Sequence, residues 1–316
     1  MIIGILIFST PKDEQYAGVE RLTQAATQMG HQIVHLYEPY FSLSGSEIWY
    51  EGKAMPQVDV IIARPNFIEE PGLHAHVVRA LLTQGYRVIN GLRSYGPAKN
   101  KIEQIQQFEQ LGIPYPSSVI CKRPDLAIDG ARRLGFPVII KVAFGTVGSG
   151  VFYADSEETF GPIADYLNIR DRNPILVQQF VAEAQRKDLR VFVVGSEIVA
   201  AMERTAPERD VRANATHGGV GTPVELSPDE RILALRVAKT FELEIAGVDL
   251  IRSVRGPLVL EVNANPGFAE LERATGVDVA EAIMRYTIQQ HQIKHIGESL
   301  TVAKVNGIFS APSSSK

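Results

Sequence analysis

Residues 247–267 read GVDLIRSVRGPLVLEVNANPG and place Asp249, Glu261 and Asn263 inside runs that otherwise have the apolar character of buried strand. Removing an unpaired carboxylate from water costs on the order of several kcal/mol or more, so such groups are found with a neutralising partner. Any fold for this chain has to provide one. AGVDLIR and GPLVLEVN read as two strands joined by a turn through SVRGP. In an antiparallel pair centred near Arg255, Asp249 falls roughly opposite Glu261. Glu261 and Asn263 are two apart and share a sheet face, so the three oxygen groups can converge on one point. Hard oxygen sets of this kind suit Mg²⁺, which takes one or two carboxylates together with substrate phosphates. A solvated hairpin would show the same alternation with Val248, Leu250, Leu260 and Val262. The tight exit that NANPG imposes just after the acids favours the site reading.

The rest of the chain is long enough to supply partners. Its 316 residues can form two or three units with shared cores. A net charge of −4 makes no general case for attraction to nucleic acid or membrane. The single cysteine, Cys121, excludes an intrachain disulfide and a cysteine-cluster metal site, and its strand-like setting suggests packing. MIIGILIFST lacks a basic lead and a small-residue cleavage pattern and reads as a first strand. No apolar run reaches the length of a membrane span, so a cytoplasmic protein is expected.

Strand and helix signals alternate through residues 1–95. IIGILIF, QIVHLY, VDVIIAR and RVIN are strands, with helices at 17–29 and through LHAHVVRALLTQ. This predicts a small βαβ unit with a parallel sheet. It has no G-x-G-x-x-G turn after its first strand, so a dinucleotide site there is not expected. His74 and His76 lie on different faces of their helix and read as structural. GLRSYGPAKN marks a boundary, and KIEQIQQFEQLGI follows as an amphipathic helix with Ile102, Ile105, Phe108 and Leu111 on one stripe. Short strands, a helix at 125–134 and a glycine-rich loop complete a second unit over 96–182. A third, 183–292, holds DLRVFVVG, EIVAAMER, a helix at 228–241, the carboxylate hairpin and a helix at 277–291. Residues 293–316, ending SAPSSSK, read as a loose tail.

In PVIIKVAFGTVGSGVFYA, two β-rich runs flank GTVGSG, residues 145–150. The loop lacks the Lys-Ser/Thr pair and the following helix of a P-loop, and it opens a strand, so it reads as the tip of a hairpin. Gly145, Gly148 and Gly150 would let backbone amides approach phosphate oxygens, and Lys141 on the entering strand could reach a phosphate. A flexible hairpin with a surface lysine would look the same.

Lys101, IIKVAFGTVGSG, ILVQQFV, KDLRVFVVG, ERDVRANATHGG, AGVDLIR and LVLEVNANPG occur together in an order that resembles the ATP-grasp ligases. Among these the chain is most similar to the RimK-like α-L-glutamate ligases, from the first strand to about residue 290. The resemblance implies an α/β chain, α+β in its C-terminal half, with an ATP-grasp fold preceded by a Rossmann-like parallel-sheet domain. It implies that Lys101 and Lys141 hold ATP phosphates, that Gln179, Phe180 and Val181 receive adenine, and that Asp188 lies near the nucleotide sugar. Arg190 and Arg204 would face phosphates or the substrate carboxylate, and Arg212, Ala213 and Asn214 would close on ATP and the reaction centre. Arg204, Arg212 and Asn214 are thus the implied catalytic set, and Asp249, Glu261 and Asn263 the implied ligands of Mg²⁺ or Mn²⁺, with two ions expected. The implied reaction is ATP-dependent: a carboxylate is phosphorylated and an amine then displaces phosphate. The implied partners are L-glutamate and a carboxylate of a peptide or protein, without nucleic acid or membrane, in a chain that could form a homo-oligomer.

Two positions depart from the family pattern. Gln179 stands where a glutamate is common, and His217 where an arginine is frequent. The first would leave backbone contacts to adenine but remove a carboxylate contact to its amino group. The second bears on substrate preference. The alternatives are a ligase of the same fold for another amino acid on a carrier protein or small metabolite, or an ATP-binding module without turnover.

Overall fold

The computed structural model describes residues 1–8, 17–45, 47–64, 73–92, 96–143, 150–170, 174–207 and 219–308, with the backbone alone at 17 and 170 and over 294–308. Strands β1 (Ile2–Ile7), β2 (Gln32–Tyr37), β6 (Val60–Arg64) and β7 (Val88–Ile89) form a parallel sheet in the order β2-β1-β6-β7. β6 is buried along its whole length, as its unbroken run of apolar residues requires. Helices α1 (Ala17–Gln28) and α2 (Leu73–Thr83) cover the sheet, α1 through Val19, Leu22, Ala25 and Ala26, and α2 through Val77, Val78 and Leu81. The βαβ unit expected from the sequence is therefore present. His74 is buried on α2 and His76 is exposed, in keeping with their different faces. Between β2 and β6 lies a small antiparallel sheet that the hydrophobic pattern did not announce: β3 (Phe41–Ser44), β4 (Glu47–Tyr50) and β5 (Lys53–Ala54). Its strands are short and half exposed, and Tyr37, Tyr40, Phe41 and Tyr50 meet edge-to-face there.

A second sheet runs β10-β9-β11-β8, all antiparallel, from β8 (Ser118–Cys121), β9 (Val138–Val142), β10 (Val151–Ala154) and β11 (Ile175–Gln179). Helices α4 (Pro124–Leu134) and α5 (Glu157–Arg170) close its core on Phe160, Ala131 and Val177. The largest sheet is antiparallel with order β14-β13-β12-β15-β16. It uses β12 (Lys187–Val194), β13 (Glu197–Thr205), β14 (Val220–Pro223), β15 (Ile245–Ser253) and β16 (Gly256–Asn263). Helix α6 (Pro228–Thr240) starts on a capping box between Ser227 and Glu230 and packs Val237 and Leu233 on this sheet.

Helix α3 (Lys101–Gln110) departs from its expected grouping with the second sheet. Ile105 and Phe108 pack with Val191, Phe241, Val248 and Val262 in the core of the five-stranded sheet. Leu111, expected on the buried stripe, is the C-cap and is 48% exposed, because the helix ends before its turn can face inward. Gln104 is buried instead. Its amide donates to the carbonyls of Ala98 (2.9 Å) and Val262 (3.0 Å) and accepts from the Val262 N–H (2.9 Å). The helix is thereby bonded to β16 beside Glu261 and Asn263.

Helix α7 (Ala269–Thr275) and helix α8 (Val279–Ile308) finish the chain. The segment from residue 293, expected to be loose, continues α8 through Ile308, since the first proline able to stop it is Pro312. Ile283 and Met284 of α8 share a core with Ile5, Leu22, Phe192 and Phe268, which joins the first sheet to the five-stranded one.

One buried side chain fixes that junction. Asn90, 1% exposed, donates to the carbonyls of Ile245 (2.7 Å) and Ala264 (2.8 Å). Its carbonyl oxygen accepts from the N–H groups of Glu244 (2.7 Å) and Ile245 (2.9 Å). It thus clamps the start of β15 to the turn after β16. Asn90→Ala strands these buried groups and should lower stability by about 2–4 kcal/mol in urea unfolding. A loss below about 0.5 kcal/mol would mean that the clamp is dispensable.

Candidate nucleotide and metal site

β15 and β16 pair so that Asp249 lies opposite Glu261 and Gly247 opposite Asn263, with the turn at Val254 and Arg255. This is the register the sequence predicted. The ladder slips between Asp249 and Leu250, which marks a bulge beside the acid. Asn263 donates its amide N–H to Glu261 Oε1 at 3.1 Å, so the two share one face as expected. Gly247 must be glycine for a steric reason. A Cβ there would lie 2.7 Å from Pro266 Cβ and 3.3 Å from Arg190 Nη1.

The neutralising partners of the acids are protein groups. Asp249 is 3% exposed. It receives Nε and Nη2 of Arg190, the latter at 3.0 Å, and Nη2 of Arg204 at 3.0 Å. Arg204 also forms a fork on Asp188, with bonds of 2.7 and 2.8 Å. Sheet register brings them together: Arg190 pairs with Asp249 across β12 and β15, and Asp188 with Arg204 across β12 and β13. Burial pushes the Asp188 carboxyl above its ordinary value, with Arg204 opposing. Burial also works against the charge of Arg204, but Asp249 and Asp188 outweigh it and hold the guanidinium above its usual range.

Glu261 meets lysines. Lys101 Nζ lies 3.7 Å from Glu261 Oε2. Burial would raise the Glu261 carboxyl, but Lys101, Lys141 and the Asn263 amide carry it down to about 2. A folded value below the unfolded 4.5 means that Glu261 stabilises the protein above about pH 4.5 and loses that contribution as pH falls toward 2. Lys101 is the first residue of α3. Asn100 caps the helix by accepting from the N–H groups of Ile102 and Glu103. The Lys101 N–H donates to the Ala143 carbonyl at 2.9 Å, at the end of β9. Lys141, on β9, is 8% exposed and donates to Gln178 Oε1 at 2.7 Å. Burial pushes its ammonium down to about 8, with Glu261 opposing. Three elements distant in sequence therefore bring Lys101, Lys141 and Glu261 to one place.

Two neighbours were missed by the sequence reading. Gln178 is 1% exposed and links Lys141 to Ser118 Oγ (3.0 Å). A glutamine in the apolar run ILVQQF was its only signal. Lys99 lies beside Lys101 and Glu261, and burial pushes its ammonium down to about 8. Nothing in GPAKN separated Lys99 from a boundary-loop lysine.

The flanks of the glycine loop pair as a hairpin, with Val151 opposite Lys141. Gly150 has φ +77°, and a Cβ there would meet Val142 Cγ2 at 2.3 Å. Gly145, Gly148, Arg212, Ala213, Asn214 and His217 lie outside the described residues. Gln179 ends β11, and its N–H donates to the Ser117 carbonyl at 2.8 Å. Phe180 packs edge-to-face on Tyr153 at 5.4 Å, and Val181 is buried with Ala184 and Leu258. The segment thus presents an aromatic face at the junction between the second sheet and the five-stranded one.

Among the described residues no group of three or more His, Cys, Asp or Glu side chains gathers as a metal cluster. The candidate set here is two carboxylates and an amide. It fits a hard cation at Glu261 and Asn263: the acid is held ionised, and the Asn263 amide donates to it while leaving its own carbonyl oxygen for a cation. Asp249 would share its oxygens between such a cation and its arginines.

A family model described as the RimK-like ATP-grasp domain matches residues 98–287. The chain belongs to the RimK-like ATP-grasp family. It is 36% identical over 287 residues to a ribosomal protein bS6--L-glutamate ligase of Escherichia coli, covering 89% of this chain and 94% of the relative. It is equally similar to a probable alpha-L-glutamate ligase of Klebsiella pneumoniae, at 36% over 286 residues, 88% of this chain and 94% of the relative. The ATP-grasp fold expected from the sequence is also borne out. A RimK domain protein of Sphaerobacter thermophilus superposes with a TM-score of 0.70 at 19% identity, over 91% of this chain and 99% of that one. The ATP-grasp ligase PsnB, solved with a precursor variant, Mg and ADP, gives 0.71 at 18% identity, over 92% and 98%. Among the described residues no helix is long and apolar enough to cross a membrane.

Replacing Arg204 with Met leaves Asp249 with the Arg190 fork and takes from buried Asp188 the fork it receives from Arg204. The variant should lose about 3–5 kcal/mol in urea unfolding at pH 8. The loss should shrink toward pH 5, because a buried acid robbed of its cation takes up a proton. A loss that is the same at both pH values would assign the effect to packing instead of charge.

Proposed function

We propose that this protein is an ATP-dependent carboxylate–amine ligase that joins L-glutamate to a carboxylate of a peptide or protein. The observation that carries the reading is the convergence of Lys101, Lys141 and Glu261 from α3, β9 and β16, beside a hairpin with the glycine loop at its tip. The relatives' names support glutamate as the amino acid and a protein as the acceptor.

A carboxylate does not condense with an amine at neutral pH because its oxygen is a poor leaving group. ATP with Mg²⁺, two ions in this proposal, supplies a phosphoryl group that turns that oxygen into phosphate. The residues would do the rest by position and charge. Lys101 and Lys141 hold the transferring phosphate and take up its developing negative charge. Their places on a helix and a strand suit a preorganised site. Glu261 and Asn263, with Asp249, would hold the metal. Arg190 and Arg204 fix Asp249 in direction, and Arg204 would also hold Asp188 for the nucleotide sugar. Gln179, Phe180 and Val181 would receive adenine, Phe180 through the aromatic face it shares with Tyr153. Gly145, Gly148 and Gly150 would close over the phosphates. Arg212, Ala213 and Asn214 would close over the reaction centre and keep water from the activated acyl group. The compartment is cytoplasmic in this reading.

Purified protein incubated with ATP, Mg²⁺, labelled L-glutamate and a panel of peptides should release ADP in a glutamate-dependent manner. An acceptor should gain mass in glutamyl steps. ADP release with another amino acid alone would keep the ATP chemistry and discard glutamate. Glu261→Gln and Lys141→Ala should each lower kcat by on the order of 10²–10³ while the circular dichroism spectrum stays native. Normal turnover in either variant would overturn the site assignment.

A further inference from the structure

The C-terminal edge of a parallel sheet is where open α/β sheets bind ligands. In the first sheet, β6 ends there on Arg64. Arg64 is 8% exposed, yet among the described residues no carboxylate lies within ion-pair reach of it. Its guanidinium donates from Nη2 to the Pro266 carbonyl at 3.3 Å and stands over the Phe268 ring at 5.5 Å from the centroid. Burial alone pulls its pKa down to about 10. A buried arginine without an acid is rare, because the charge then lacks compensation for its lost hydration. Among the described residues, then, no acid answers this charge.

Two further groups face the same place. A Cβ on Gly18 would lie 3.0 Å from Arg64 Nη2, so the guanidinium rests against the first turn of α1. That end of a twelve-residue helix carries the positive end of the dipole. Lys99 is the third. It lies near enough to Arg64, Lys101 and Glu261 to feel the charge of each. Arg64, Lys99 and Lys101 therefore make a run of positive charge from the first sheet to Glu261. Pro266, the carbonyl partner of Arg64, is three residues beyond Asn263 on the same turn.

We propose that Arg64, with Lys99 and the first turn of α1, binds a non-reacting carboxylate of a substrate. The inference rests on the ligase reading and adds to it a specificity-determining residue from the first sheet. The reacting carboxylate must lie by Lys101 and Lys141, where phosphate is transferred. The Arg64 end of the run is left for a carboxylate that stays intact, and a planar guanidinium suits one bidentately. Two sources carry such a group: the incoming amino acid and the acceptor.

The test is steady-state kinetics of wild type, Arg64→Met and Arg64→Lys, varying ATP, glutamate and acceptor in turn. The Met variant should raise the KM of one carboxylate substrate by roughly 10- to 100-fold. The KM of ATP should stay unchanged, and this also shows that the nucleotide site is folded. Whether the glutamate or the acceptor KM moves names the source. Wild type should discriminate against a substrate in which that carboxylate is a carboxamide, and Arg64→Met should not. The Lys variant, which keeps the charge but loses the fork, should fall between the two. Unchanged KM values for both carboxylate substrates, a shift confined to ATP, or a Met variant that still rejects the carboxamide would each overturn the proposal. Should the Met variant fail to fold, the KM values and carboxamide discrimination of the Lys variant decide. Wild type that releases no ADP with any amino acid would refute the ligase reading separately. The Arg64 pocket is then read by the melting temperature of wild type with L-glutamate or glutarate. An upshift that Arg64→Lys reduces supports the pocket, and no upshift refutes it.

Discussion

The bidentate grip of Arg190 on Asp249, reinforced by Arg204, is the contact around which the site is arranged. It joins β12, β13 and β15 through side chains exactly where their backbones are already paired. Two acids and two arginines, all nearly out of contact with solvent, balance one another there. A network of this kind contributes little net stability when complete and is expensive when one member is removed. Its value lies in direction: each carboxylate oxygen has a fixed donor, so Asp249 and Asp188 cannot rotate. The neighbouring cluster is different in kind. Lys101, Lys141 and Glu261 are brought together with more positive than negative charge, and the surplus is an invitation to an anion.

Much of this was legible from residues 247–267. The hairpin, its register and the shared face of Glu261 and Asn263 follow from period-two alternation and the turn at SVRGP, because strand geometry is local. The first sheet was legible for a similar reason: a strand buried on both faces must be apolar throughout. What was not legible depends on contacts between distant segments. Asp249 was assigned a metal as its counter-charge, and no local pattern says that residues 190 and 204 would reach it first. Gln104 and Asn90 give no sequence signal at all. Each is a polar residue whose importance arises only when a backbone from another segment arrives against it. The small sheet of β3 to β5 was missed because its strands are too short and too exposed to show a period.

The family resemblance carried the parts of the site that physics alone left open. GTVGSG by itself fits a mobile hairpin as well as a phosphate cradle, and the hairpin alone fits a solvated surface. The structure narrows the choice at Lys141, which is buried instead of solvated and is held by Gln178. It also shows why the glycine nearest the strand is needed, since Gly150 sits against Val142 with no room for a side chain.

The attachment of α3 has a mechanical meaning. Its apolar face is embedded in the core of the five-stranded sheet, while the N–H of its first residue is tied to Ala143 of the second sheet. The two lysines thus ride on different sheets, Lys101 on the frame and Lys141 on the cover, with the Lys101–Ala143 backbone bond joining them. Any swing of the cover about that bond changes the separation of the two ammonium groups. Glu261 draws on both ammonium groups, so the acid of the frame reaches across the same junction to the lysine of the cover.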